Sequence, residues 1–173
     1  MNLPNSITVA RIAMVPVFLA FAFRDDTSSK VTALIVFVVA SLSDSLDGYI
    51  ARRDGTISRL GQFLDPTADK LLLGAALVVL VTERSFPLWA ALVLAIRELV
   101  LQIYRTNVVR GGGDLPSSAT AKIKTISLTL MGGWWLLPWD DRNVVHWILL
   151  GEAIIFSVVS AAEYFVRRPR ERL

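Results

Sequence analysis

Six long apolar stretches, separated by short polar turns, leave this chain little choice of architecture. They cover residues 7–23, 31–51, 64–81, 87–109, 119–137 and 144–166. A helix needs about 20 mainly apolar residues to cross the hydrocarbon of a bilayer, and each stretch meets or approaches that length. The runs show no alternation of period two, so strands are not expected. Gly and Ala recur within them, which suits close helix contact in lipid. Composition agrees: apolar residues make up 54% of the chain, and the mean hydropathy is +0.54, above that of an ordinary soluble domain. The expectation is an all-α integral membrane protein with six transmembrane helices, folded as a single domain over residues 1–173. The first stretch has no basic leader and no clear cleavage site, so it reads as a retained span rather than a cleaved signal. Cysteine is absent, which excludes a disulfide framework, thiolate zinc sites and a thiol nucleophile.

Lysine and arginine set the expected orientation. With the N-terminus inside, the inner ends and loops take most of them, from Arg11, Arg52, Arg53 and Arg59 through Lys70 and Arg105 to the tail arginines Arg167, Arg168, Arg170 and Arg172. The outer turns hold Arg24, Lys30, Arg84 and Arg142, and Arg97 lies within the fourth span. Six spans then place both termini in the cytoplasm. The basic tail is expected to favour anionic headgroups.

Against this greasy background the stretch SDSLDGYIARRDGTISRLGQFLDPTADK, between the second and third spans, places Asp44, Asp47, Asp65 and Asp69 at the inner membrane edge. Residues three or four apart share a helix face, so Asp44 pairs with Asp47 and Asp65 with Asp69. The connecting loop is short, which makes the two helices antiparallel neighbours whose four carboxylates can converge. Gly48 and Ala51 leave space beside the first pair. Four crowded carboxylates persist where cations neutralise them or where some stay protonated. Hard oxygen ligands select Mg²⁺, Mn²⁺ or Ca²⁺ over zinc. Two ions can share the set, with Asp69 partly free to accept a proton. Solvated or helix-capping aspartates are the ordinary alternative for any one position, but not for four at this spacing. Ionisable groups at membrane depth mark function by default.

The pattern Asp-x2-Asp-Gly-x2-Ala-Arg-x8-Gly-x3-Asp-x3-Asp, carried by Asp44, Asp47, Gly48, Ala51, Arg52, Gly61, Asp65 and Asp69, resembles the signature of the CDP-alcohol phosphatidyltransferase family at every position. Six spans and this length resemble the family over essentially the whole chain. The resemblance implies an enzyme that takes a CDP-linked lipid, usually CDP-diacylglycerol, and an alcohol. The hydroxyl attacks the lipid-side phosphorus and CMP leaves. It implies two Mg²⁺ or Mn²⁺ ions held by Asp44, Asp47, Asp65 and Asp69, with Asp69 also the general base. It further implies that Asp44, Gly48, Ala51, Arg52 and Gly61 bind the CDP-lipid, with Arg52 on a phosphate. Such chemistry rests on positioning and charge stabilisation, with a carboxylate base in reach of the hydroxyl.

The acceptor is written less sharply. The opening NLPNSITVARIAMVPVF resembles that of the phosphatidylglycerophosphate synthases and the related cardiolipin synthases of this family. Asn5, Thr8 and Arg11 lie at its inner end, where Asn5 and Thr8 can help bind the nucleotide; helix capping and surface anchoring are the plainer alternatives. IRELVLQIYR in the fourth span resembles the Arg-Glu-x6-Arg pattern of the phosphatidylglycerophosphate synthases. Arg97 lies deep and needs a partner, expected on another helix because Glu98, its neighbour in sequence, points elsewhere. Arg97, Arg105, Arg110, Lys122 and Lys124 form the expected site for an anionic acceptor such as glycerol 3-phosphate. The same cations suit phosphatidylglycerol, as in a cardiolipin synthase, or inositol phosphate, as in a phosphatidylinositol phosphate synthase.

The expected partners are CDP-diacylglycerol, glycerol 3-phosphate and membrane lipids, without nucleic acid; the resemblance adds a homodimer and a bacterial inner-membrane location. A small cation transporter using the aspartates as its ion site is the rival from another class, and a non-catalytic scaffold is a third. The tryptophans Trp89, Trp134, Trp135, Trp139 and Trp147 read as an outer aromatic belt. His146 falls on the outer side, far from the aspartates, and Glu152 and Glu163 are expected to pair with buried arginines.

Overall fold

The computed structural model describes residues 3–54, 59–111, 113–114, 119–139, 143–166 and 170–171, with side chains for 8–43, 68, 70–108, 111, 120–139 and 143–166. Within them lie the helices α1 (Leu3–Ala22), α2 (Thr27–Asp54), α3 (Arg59–Glu83), α4 (Leu88–Arg110), α5 (Ala119–Leu136) and α6 (Val144–Val166). All six coincide with the apolar stretches. Three of them, α1, α2 and α3, run three to five residues beyond their stretches at one end or both, because a helix continues while its backbone groups find partners, not only while its side chains are apolar.

The α2 start illustrates this. Asp26 precedes the helix, and its carboxylate accepts the Ser29 backbone N–H at 2.8 Å, an N-cap four residues ahead of the apolar run. The Ser29 hydroxyl and then its N–H hold the Asp26 carboxyl below its ordinary pKa. A depressed folded pKa stabilises above the unfolded value, and that contribution is lost as pH falls through the folded one. Asp26→Ala is therefore expected to lower the unfolding temperature at pH 7, with the gap to wild type closing in acid. A gap that persists at pH 3 would remove the charge from the cap.

The α6 start is built similarly. Asn143 caps Val145 N–H through Oδ1 at 3.1 Å, while His146 Nδ1 accepts the Asn143 N–H at 3.3 Å. This is the reciprocal form of a capping box, with a histidine in the third helical position. The buried His146 is thus structural, as its place in the sequence suggests.

The elements group into two compact units. Met1–Ser85 with Gly132–Asp140 form the first, and Phe86–Met131 with Asp141–Leu173 the second. In the first, α1 packs on α2 and α3, and α2 on α3. The α1 side chains that vanish from the surface are Thr8, Arg11, Val15, Phe18 and Ala22, alternating by three and four along one face. Phe18 meets Phe37 of α2 with ring centroids 6.0 Å apart. The end of α5 approaches so closely that a Cβ on Gly132 would lie 3.1 Å from Phe37 Cζ. Trp135 is buried here and its Nε1 donates to the Arg84 carbonyl at 3.2 Å. Trp135 therefore departs from the belt expected of the tryptophans, whereas Trp89, Trp139 and Trp147 are exposed. Its N–H anchors the α3 terminus, where Ser85 adopts the left-handed conformation (φ 47°) common just past a helix end.

In the second unit α4 packs along α6. Leu101 and Tyr164 form a buried cluster with Tyr104, Val108, Ala121 and Ala161 around it. Two two-residue strands, β1 (Gly113–Asp114) and β2 (Arg170–Glu171), pair antiparallel, joining the segment after α4 to the C-terminal tail. This pairing departs from the helix-only expectation, because two-residue strands leave no apolar period in a sequence.

Among the described residues one helix, Val144–Val166, is long and apolar enough by composition to cross a membrane, with shorter apolar segments at Thr8–Ala22 and Thr27–Ser43. The other helices carry charge within their length, such as Arg97, Glu98 and Arg105 in α4.

Candidate active site

The four aspartates, Gly48 and Ala51 fall on the helices that the sequence assigns them to, whereas Arg52 and Gly61, expected in the polar turn between the spans, lie within α2 and α3. Asp44, Asp47, Gly48, Ala51 and Arg52 lie in the last turns of α2; Gly61, Asp65 and Asp69 lie in the first turns of α3. Their side chains, with those of Asn5 and Arg110, lie outside the described residues. Among the described side chains α2 buries Ser29, Ala33, Phe37 and Ala40, and positions 44 and 47 follow at the same three-to-four-residue spacing in the sequence. The residues that α3 buries include Ala68, Leu72, Ala76, Val79 and Leu80, and positions 65 and 69 fall at that same spacing in the sequence. The two helices that carry these positions pack together.

The short connections 23–26 and 55–58 make α1, α2 and α3 successive antiparallel neighbours. The start of α1, the end of α2 and the start of α3 therefore share one end of this unit. Thr8 and Arg11 are at that end, fully buried, and both have partners within the protein. A buried guanidinium persists only where charge or hydrogen bonds compensate it. Arg11 is consequently not the exposed surface anchor that its place in the sequence allows. The donor set, four carboxylates on two adjoining helices at one end, fits hard divalent cations. Among the residues with described side chains, no other group of acidic or histidine residues is placed to hold a metal.

The basic residues singled out in the sequence separate in the second unit. Arg97 Nη1 donates to Glu98 Oε2 at 2.7 Å, Nε to the Ser157 carbonyl at 2.8 Å, and Nη2 to the Ser160 hydroxyl. Lys124 Nζ donates to the same Glu98 oxygen at 3.1 Å. The expectation that Glu98 points away from Arg97 is thus overturned. Adjacent helix positions differ by about 100° in direction, but a long guanidinium chain turns back far enough to reach. Arg105 is exposed and lies over the Tyr164 ring, 5.3 Å from its centroid. Lys122 is exposed and Lys124 mostly covered, because residues two apart on a helix point to different sides.

Of the α6 carboxylates, Glu152 also differs from expectation. Glu152 lies 3.4 Å from the Ser127 hydroxyl, which donates to it, and Glu163 accepts from Thr120. For Glu152 the described partner is thus a hydroxyl on α5 rather than an arginine. Ser157 and Ser160 were not legible as site residues beyond their i, i+3 spacing, and Glu98 was legible only as a member of the Arg-Glu-x6-Arg pattern, without a role of its own.

The sequence profile of the CDP-alcohol phosphatidyltransferases matches residues 1–159. The chain belongs to this family. Among relatives of this phosphatidyltransferase, a Bacillus subtilis (strain 168) protein named CDP-diacylglycerol--glycerol-3-phosphate 3-phosphatidyltransferase is 35% identical over 184 residues, covering 95% of this chain and 93% of the relative. Proteins of the same name from Pseudomonas fluorescens, 37% identical over 90% of this chain and 81% of their own, and Rickettsia bellii (strain RML369-C), 30% identical over 95% and 93%, align similarly. The profile ends at residue 159, so the last turns of α6 and strand β2 lie beyond it.

Proposed function

We propose that this phosphatidyltransferase transfers a phosphatidyl group from CDP-diacylglycerol to glycerol 3-phosphate, releasing CMP and forming phosphatidylglycerophosphate. The observation that carries the reading is the complete eight-residue signature, carried by the end of α2 and the start of α3, two helices that pack together. The names of the relatives support the acceptor.

Asp44, Asp47, Asp65 and Asp69 would hold two Mg²⁺ or Mn²⁺ ions, which when bound neutralise the pyrophosphate and stabilise the departing phosphate. Asp69 takes the proton of the attacking hydroxyl, and Arg52 contacts a phosphate. Gly48, Ala51 and Gly61, without bulky side chains, let the nucleotide approach the backbone. On the acceptor side Lys124, Lys122, Arg105 and Arg110 supply cations for the phosphate of glycerol 3-phosphate.

The reading places all six helices across the bacterial inner membrane, with both termini and the aspartates on the cytoplasmic side. The apolar α6 supports it, as do the exposed apolar side chains of α2 and α4, including Ile35, Val39, Leu42, Ile96, Leu99 and Ile103. A soluble surface rarely exposes so many large apolar side chains. Basic residues cluster on the proposed inner side.

The test is CMP release from CDP-diacylglycerol by purified protein with Mn²⁺ or Mg²⁺, offering glycerol 3-phosphate, inositol phosphate and phosphatidylglycerol separately. Release is expected with glycerol 3-phosphate and is abolished by chelation. Release with phosphatidylglycerol alone would make the enzyme a cardiolipin synthase; no release with any acceptor, from folded protein, would favour a transporter.

A further inference from the structure

The structure assigns Glu98 as a positioning residue for the acceptor side of the reaction, acting through Lys124. The inference rests on the function proposed above and adds to it a part that the signature does not contain.

The geometry separates two cations that look alike in the sequence. Each nitrogen of the Arg97 guanidinium has a partner inside the protein: Glu98 on its own helix, and Ser157 and Ser160 on α6. The Ser160 hydroxyl in turn donates to the Ser157 carbonyl at 3.2 Å. Both serines are buried, and the Arg97 side chain keeps only 10% of its exposure. Arg97 is thus a brace between α4 and α6, spent on the fold rather than offered to a ligand.

Lys124 is different. Its ammonium has three donors, and among the described residues its one partner is Glu98. Two donors remain for an anion. The side chain is 14% exposed, so the ammonium is held at the edge of the covered network rather than waving in solvent. A lysine has a flexible four-carbon stem and no preferred direction of its own. Glu98 supplies that direction, because its shared oxygen Oε2 is itself held by the braced Arg97. The three charged groups sum to one net positive charge, which suits a phosphate monoester. Exposed Lys122, two positions earlier, has no such carboxylate among the described residues.

Positioning and mere neutralisation predict opposite signs. Glu98→Gln keeps volume and hydrogen-bonding capacity but leaves the Arg97 and Lys124 charges facing each other uncompensated. If Glu98 only dilutes positive charge, its removal tightens binding of an anionic acceptor. If it aims Lys124, removal loosens it.

The experiment is a double-mutant cycle of Glu98→Gln and Lys124→Gln in the full-length purified protein. KM for glycerol 3-phosphate and for CDP-diacylglycerol are read separately from CMP release, with glycerol 3-phosphate binding measured by calorimetry as a readout that needs no turnover. Glu98→Gln is expected to raise KM and Kd for glycerol 3-phosphate about tenfold, the scale of one charge-assisted contact, with kcat and the KM for CDP-diacylglycerol within about twofold. Lys124→Gln should do the same, the pair together no more than either alone, and Glu98→Asp should restore part of the loss. A lower KM in Glu98→Gln, full additivity in the double variant, or a fall in kcat with both KM values unchanged would each overturn the assignment. If wild type transfers only to a different phosphate-bearing acceptor, the proposed acceptor fails, and the cycle read with that acceptor still decides the role of Glu98. A wild type that neither turns over nor binds any such acceptor overturns both.

Discussion

Asp69→Asn is expected to slow CMP release about 10²- to 10⁴-fold, the range that a positioned general base contributes, while leaving the fold intact. The substitution keeps size and one ligating oxygen but cannot take a proton at neutral pH. Position 69 lies in the first turns of α3, which packs against α2. The measurement is turnover at saturating CDP-diacylglycerol and glycerol 3-phosphate, with unfolding temperature as the folding control. Turnover within a few-fold of wild type, in protein of unchanged thermal stability, would remove Asp69 from proton transfer. Asp44→Asn and Asp47→Asn serve as the comparison. In their proposed role as metal ligands that take no proton, they should raise the concentration of Mn²⁺ needed for half-maximal rate more than Asp69→Asn does.

The largest effect on stability is expected at Arg97. Arg97→Met retains the apolar stem and removes the guanidinium, so Glu98 loses its 2.7 Å partner and the Ser157 carbonyl and Ser160 hydroxyl lose theirs. Glu98 keeps Lys124 as its counter-charge, but the covered Ser157 and Ser160 acceptors are left without the guanidinium donor, at a cost of about 1–3 kcal/mol for each group left unsatisfied. The control is Arg105→Met. Arg105 is exposed, and its contact with Tyr164 is a surface cation–π interaction contributing about 0.5–1 kcal/mol. Thermal unfolding in detergent should separate the two variants clearly. Equal losses would show that Arg97 is held no more firmly than a surface arginine.

These two predictions draw on different levels of the chain. The first was legible before any coordinates. An i, i+3 pair and an i, i+4 pair of aspartates, separated by a short loop between apolar runs, specify a carboxylate cluster wherever the two runs become helices. Helix formation is decided locally by length, apolarity and caps. The second was not legible. Arg97 looked like an acceptor ligand because it lies in a pattern resembling one, and Glu98 looked unavailable because neighbours in sequence diverge on a helix. Only the approach of α6 with Ser157 and Ser160, and of α5 with Lys124, makes the bond between Arg97 and Glu98 the satisfying arrangement.

The same division runs through the remaining elements. The six helices, their order and the placement of the signature on α2 and α3 were determined by the sequence itself, since each depends on residues a few positions apart. Which polar groups meet was decided by tertiary structure: the burial of Thr8 and Arg11, the tie from Trp135 to the Arg84 carbonyl, the divergence of Lys122 from Lys124, and the pairing of β1 with β2. These depend on groups far apart in the chain, or on which side of a helix its neighbours cover. A polar side chain in a low-dielectric interior takes whatever partner packing brings within reach, because leaving it without one costs more than bending towards an unexpected neighbour.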